Sequence, residues 1–180
     1  AADTSGLLII DVSDPTEPRE AGSFNIAGFA HGLKVSGSYA YVAFGHAGLR
    51  IIDISNPLIP LETGHFNTAS AAISINVLET QVYVTKASGG SIIVDTSDPG
   101  NPVEVESLFS RLETFFYGSY AYCVGRNMGG YAFRVYDWAD SSNVEHEFLS
   151  WGSQAPAIQH ISVIDSTAFL AHADMGIRII

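Results

Sequence analysis

Apolar positions along this chain fall in short runs of five or six residues, cut by Gly, Ser, Asn, Asp and Pro. In the clearest stretch the runs cover about 31–36, 39–44, 49–54 and 61–66, and they are rich in Val, Ile, Tyr and Phe. This pattern predicts four β-strands joined by tight turns as an antiparallel meander. The second and third runs are apolar on both faces, as expected where a sheet is covered on both sides. No segment sustains a 3.6-residue apolar period, so essentially no helix is predicted.

The pattern repeats. Leu8-Ile9-Ile10-Asp11-Val12-Ser13-Asp14-Pro15 returns as Arg50-Ile51-Ile52-Asp53-Ile54-Ser55-Asn56-Pro57 and again as Ile92-Ile93-Val94-Asp95-Thr96-Ser97-Asp98-Pro99. It degenerates to Arg134-Val135-Tyr136-Asp137-Trp138-Ala139-Asp140. The anchors Asp11, Asp53, Asp95 and Asp137 are each 42 residues apart. In the same phase, Tyr39-Ala40-Tyr41-Val42 is echoed by Val82-Tyr83-Val84, by Tyr120-Ala121-Tyr122-Cys123 and by Ala168-Phe169-Leu170. A weaker echo is Glu20, Glu62, Glu104 and Glu145, each followed four positions later by Phe24, Phe66, Leu108 or Leu149. The interval from Tyr41 to Asp53 is 12 residues and that from Tyr122 to Asp137 is 15. A three-residue insertion within Gly125–Gly130 is therefore expected to lengthen one loop. Four antiparallel strands in this period make the unit of a propeller blade. The fold class expected is all-β, a β-propeller of four-stranded antiparallel blades. Residues 1–180 then form a single propeller of about four blades.

These motifs resemble the LVIVD repeat family, whose units carry a Tyr-Ala-Tyr-Val-Ala strand, a Gly-Leu-Arg-Ile-Ile-Asp strand and a Ser-Asn-Pro or Ser-Asp-Pro turn. The likeness is close over 31–66 and decays toward 103–160, where Trp138-Ala139-Asp140-Ser141 replaces the turn. The resemblance implies a β-propeller of a surface or secreted protein, hence an extracellular or cell-surface location, with no common catalytic motif. WD-repeat and Kelch signatures are absent.

By the 42-residue register Ala1 aligns with Ala43 and Ile180 with Ile52, so the third-strand motif occurs once more than closure of four blades needs. A part of a larger propeller is expected ahead of a self-closed four-bladed ring. Its end faces would be apolar, with Leu7–Ile10 at one and Ile177–Ile180 at the other. Exposed faces of that kind predict self-association, as two copies closing a ring of about eight blades, or docking to further blades.

The net charge of −11, with only 8 Lys and Arg, opposes a phosphate backbone and argues against nucleic acid as partner. Acidity of this kind also serves solubility alone. No run approaches the ~18 apolar residues needed to span a bilayer, so no membrane insertion is expected. The first residues, Ala1-Ala2-Asp3-Thr4, have neither a basic leader nor an apolar signal core, as a mature secreted protein would also lack. The single cysteine, Cys123, precludes an internal disulfide and reads as a small buried hydrophobe.

The recurrent Asp-x-Ser-Asp/Asn-Pro offers hard oxygen ligands, but a feature present in every copy is expected to build turns by bonding back to backbone amides. Of six histidines, His65 and His146 fall on fourth strands and read as surface residues. His31 opens a first strand, and His160 occupies nearly the same place in the last copy. His46 and His172 fall between second and third strands. Those connections and the ones that lead into the next copy emerge at one end of a meander, so these four histidines are expected on one face. Around a channel, the first strands would begin with His31, Ile73, Leu112 and Gln159, which makes no ring of carboxylates. There is no Gly-x-Ser-x-Gly, no His-Glu-x-x-His and no phosphate loop. No catalytic residue, metal or cofactor is expected.

What remains are loops on a rigid support, where function usually sits. Phe29, Arg111 and Trp151 fall in connections between copies, and Arg126 and Asn127 in the lengthened loop. Together with His31, His46, His160 and His172 they are the candidate binding residues, Trp and Arg being typical contact anchors. The function expected is a non-catalytic binding or scaffolding module that presents one loop face to a protein or glycan. The alternatives are part of a propeller hydrolase or lyase whose site needs further blades, or a structural spacer of a surface protein.

Overall fold

The computed structural model describes residues 6–26, 28–108, 113–117, 120–127, 130–137, 146–151, 158–164, 167–172 and 176–179, with side chains chiefly in the first 107. Contacts group the chain into two compact units, Ala1–Phe109 and Ser110–Ile180. Among the described residues there is no helix.

The first unit opens with an antiparallel pair, β1 (Leu7–Asp11) and β2 (Arg19–Phe24). One complete four-stranded sheet follows, β3 (Gly32–Ser36), β4 (Tyr39–Ala43), β5 (Leu49–Asp53) and β6 (Leu61–Phe66), each strand hydrogen-bonded to the next in sequence. The next repeats it with β7 (Ala72–Leu78), β8 (Gln81–Lys86), β9 (Ser91–Asp95) and β10 (Val103–Leu108). The four strands expected from the sequence over 31–66 are thus found within a residue at each end.

The second unit holds a four-stranded sheet of β11 (Glu113–Tyr117), β12 (Tyr120–Asn127), β13 (Gly130–Asp137) and β14 (His146–Trp151). A three-stranded one follows, β15 (Ile158–Ile164), β16 (Thr167–His172) and β17 (Gly176–Ile179). Three sequence expectations are corrected here. The insertion near Gly125–Gly130 lengthens both strands and makes no wide loop, since β12 and β13 stay paired out to Asn127 opposite Gly130. Arg126 and Asn127 are therefore strand residues. Trp151 ends β14 opposite Tyr131, and His172 ends β16 opposite Gly176, so neither lies in a connection. The physical reason is shared: an antiparallel ladder gains cross-strand bonds from each added pair, so extra residues extend strands before they open loops.

The core follows the alternation of third-strand side chains between the two faces of a blade. Even positions turn toward the preceding blade, and Ile52 packs with Ala40, Val42 and Phe44 against Leu7 of the first pair. Odd positions turn toward the following blade, and Leu49 and Ile51 join Tyr41 and Ala43 against Ile75, Val82, Val84, Ile92 and Val94. Both faces of β4 and β5 are buried, which accounts for their unbroken apolar sequence.

Two recurrent backbone devices hold the blades in register. Gly48 opens β5 with φ of +78°, and Gly6 and Gly90, one period away on either side, share that left-handed conformation. The second device is a bulge on the fourth strand. The ladder slips between Ile51 and Ile52, next to Gly64. A Cβ on Gly64 would collide with the Pro99 carbonyl oxygen of the following blade, and one on Gly22 would collide with that of Pro57. The Ser-Asx-Pro turn of each of these blades thus lies directly against a fourth-strand glycine of the blade before it.

Candidate functional site

In the first unit, connections from one blade to the next and connections from second to third strand lie at the same end. The His31 amide donates to the Ala43 carbonyl at 2.8 Å, and Gly45 forms a two-way backbone bridge with Ala72 of the next blade, at 3.1 and 2.8 Å. The Ala87 amide reaches the Ala71 carbonyl at 2.8 Å, and the Ser88 amide reaches Ser70 Oγ at 3.0 Å. These bonds fix the loop end of both blades.

On this support the structure brings together Phe29, His31 and His46. Phe29 is 55% exposed, as are several other large apolar side chains of the described residues, but it is the one placed at this loop end beside two exposed histidines. His31 and His46 are exposed as well. Gly45 has φ of +50°, and the His31 imidazole lies across it: a Cβ there would stand 3.4 Å from His31 Nε2 and 3.5 Å from the Phe29 carbonyl oxygen. The aromatic loop, the imidazole and the turn bearing His46 are thus adjacent, with Phe44 wholly buried beneath them.

The other candidates belong to the second unit or fall outside the described residues. Arg111 lies outside them. Arg126 and Trp151 both face Tyr131 in the ladder, on opposite sides of β13, so one sheet end carries both. Asn127 is the next pair along. His160 pairs with Ala171, and His172 with Ile158, at one end of the three-stranded sheet.

The recurring acids build turns. Oδ1 of Asp11, Asp53 and Asp95 accepts the amide two residues on, from Ser13, Ser55 and Ser97, at 2.8–2.9 Å. Asp14, Asn56 and Asp98 repeat the device toward Thr16, Leu58 and Gly100. The Ser55 hydroxyl and then its amide hold the Asp53 carboxyl below its usual range. The Thr16 hydroxyl does so for Asp14, ahead of its amide, and the Ser13 amide for Asp11, ahead of its side chain. Among the described residues no three His, Cys, Asp or Glu side chains gather as a metal site. His65 instead joins an outer ion cluster, with its Nδ1 3.2 Å from Glu62 Oε1, which also accepts from Arg50 at 2.9 Å. Burial, followed by the charge of Glu106, pushes the Tyr83 phenol above its usual range, and its hydroxyl donates to Gln81 Oε1 at 2.7 Å.

Sequence reasoning missed one cluster. Leu58, Ile59 and Leu61 are all exposed at the turn end, away from Phe29. The signal was a departure from the repeat, since the same positions hold Thr16, Glu17 and Arg19 one period earlier.

Blades of four antiparallel strands, repeated in one phase with their loops gathered at one end, define a β-propeller repeat module. Solved structures agree on the fold. The computationally designed Ika8 protein matches with a TM-score of 0.70 at 11% identity, over 99% of this chain and 53% of that one. The β-propeller domain of Myceliophteria thermophila Cps50 (Swd1) matches with 0.64 at 12% identity, over 99% and 63%. The designed Ika4 protein gives 0.63 at 13%, over 85% and 91%. The chain therefore spans about half the length of Ika8. The chain belongs to the LVIVD repeat family, which matches it at residues 1–26, 27–68 and 69–109. No curated protein matches it.

Proposed function

We propose that the chain is a non-catalytic binding module that presents the loop end of its blades to a protein or glycan partner. The observation that carries this reading is the exposed ring of Phe29, beside the exposed His31 and His46, on a loop end tied down by the Gly45–Ala72 bridge. A pre-ordered aromatic loses little conformational entropy on contact, and it offers a flat apolar face to a sugar ring or a peptide side chain. The imidazoles beside it supply donors and acceptors for orientation. An extracellular or cell-surface location is part of the same proposal.

The test is a screen of the purified chain against a glycan array and a displayed-peptide library. Phe29→Ala with His31→Ala should weaken binding of the selected ligand by roughly tenfold or more. Leu61→Glu, at the opposite end, should leave it unchanged. A ligand lost with Leu61→Glu and kept by the loop variant would overturn the assignment.

A further inference from the structure

We propose that the loop end of the first unit takes a neutral saccharide, with Phe29, His31, His46 and Asn67 around the 45–48 turn as its contact residues. The inference rests on the binding role just proposed and names the ligand class of that site. The turn is the hub. The Phe44 amide donates to the Gly48 carbonyl at 2.8 Å and the Gly48 amide to the Gly45 carbonyl at 3.1 Å, which closes it tightly. A Cβ on Gly45 would stand 3.4 Å from His31 Nε2 and 3.5 Å from the Phe29 carbonyl oxygen. One on Gly48 would stand 3.2 Å from the Asn67 Cα, just past the end of β6. The connections bearing Phe29 and Asn67 therefore converge on the turn bearing His46, and all four side chains are exposed.

The chemistry of this end selects the ligand. The connections 25–31, 44–48, 67–71 and 87–90 contain no Asp, Glu, Lys or Arg. Every carboxylate of residues 6–108 stands in a turn-end corner or on a fourth strand. An anionic ligand would meet the net charge of −11 with no cationic cluster in these connections to offset it. A protein partner commonly buries ~800 Å² on each side around several apolar anchors. Phe29 is the one large apolar side chain exposed in these connections. A sugar needs less. One aromatic ring covers the C–H face of a pyranose. The Asn67 amide, and an imidazole in its neutral form, each offer a donor and an acceptor, which match the two roles of a sugar hydroxyl. No charge has to leave water for these bonds to form.

An array of neutral, uronate-containing and sulfated oligosaccharides, probed with the full chain, tests this. Neutral members (cello-, laminari-, manno- and galacto-oligosaccharides) should be bound. Their calorimetric affinity should change by less than about twofold between about 0.02 M and about 0.2 M sodium chloride. Asn67→Ala should weaken the best of them about fivefold, as one lost hydrogen bond does, and Phe29→Ala roughly tenfold or more. Phe29→Trp should retain it, and Leu61→Glu should leave it unchanged, all with the β circular dichroism of the parent. Binding confined to uronate or sulfated members, and weakened by salt, would overturn the neutral class while leaving the loop end as the site. So would a displayed peptide lost with Phe29→Ala, from a chain that binds no array member. Saccharide binding that survives both Phe29→Ala and Asn67→Ala would overturn the site itself. A chain that binds neither an array member nor a displayed peptide would overturn the binding role and this inference together.

Discussion

Asp11, Asp53 and Asp95 each spend one carboxylate oxygen on the amide two residues ahead, and that single bond sets the corner between third and fourth strand. Hydrogen bonds to the same turn residues lower the carboxyl pKa, the Ser13 amide first for Asp11, and the Thr16 and Ser55 hydroxyls ahead of their amides for Asp14 and Asp53. A depressed folded-state pKa contributes stability that is present above the unfolded value of about 4 and is lost as pH falls through the folded one. Melting temperature should therefore fall steadily below about pH 4, and this acid limb should flatten when the three are changed to Asn. Asn keeps the acceptor, as Asn56 does in the native turn, so stability near neutral pH should change little. Asp53→Ala, by contrast, should lower the melting temperature at neutral pH, equally with and without added calcium. Calcium-dependent stabilisation that vanishes in this variant would restore a metal role. These acids were legible from the sequence because they recur. Leu58 and Ile59 were not, because they break the repeat, and a search for recurrence passes over what occurs once.

Strand spacing was legible for the same reason, since a 42-residue period fixes every boundary once one blade is drawn. The errors fell where the period breaks. Three added residues after Cys123 looked like a loop, but a ladder that can extend by pairing will do so, and Arg126 and Asn127 became strand. Contacts between blades were not legible at all, because they depend on which glycine lies beneath which turn. Gly64 is the clearest case. Adding its methyl group forces the Pro99 turn away, so Gly64→Ala should cost about 1–3 kcal/mol in denaturant unfolding. Gly100→Ala is the control. Its Cβ would meet only ordinary contacts, and its φ is not left-handed, so it should be neutral or slightly stabilising. Equal costs at the two positions would mean that the approach of the turn does not hold the blades together. The register adds a correlation of its own. One period after Gly64 stands Glu106, and the following copy has Trp138-Ala139-Asp140 in place of the Ser-Asp-Pro turn. Glycine and turn are lost together, as expected if each exists for the other.

At the scale of the molecule, the net charge of −11 acts against the compact state, because like charges repel over distances comparable to the Debye length, about 10 Å at 0.1 M salt and roughly 30 Å at 0.01 M. Raising sodium chloride from about 0.01 M to about 0.1 M should then raise the melting temperature, with the β circular dichroism unchanged. Ion pairs of the Arg50–Glu62 kind give a term of the opposite sign, because screening weakens attraction as readily as repulsion. A melting temperature that falls with salt would mean that such pairs, and not the excess of acidic side chains, dominate the electrostatics of folding.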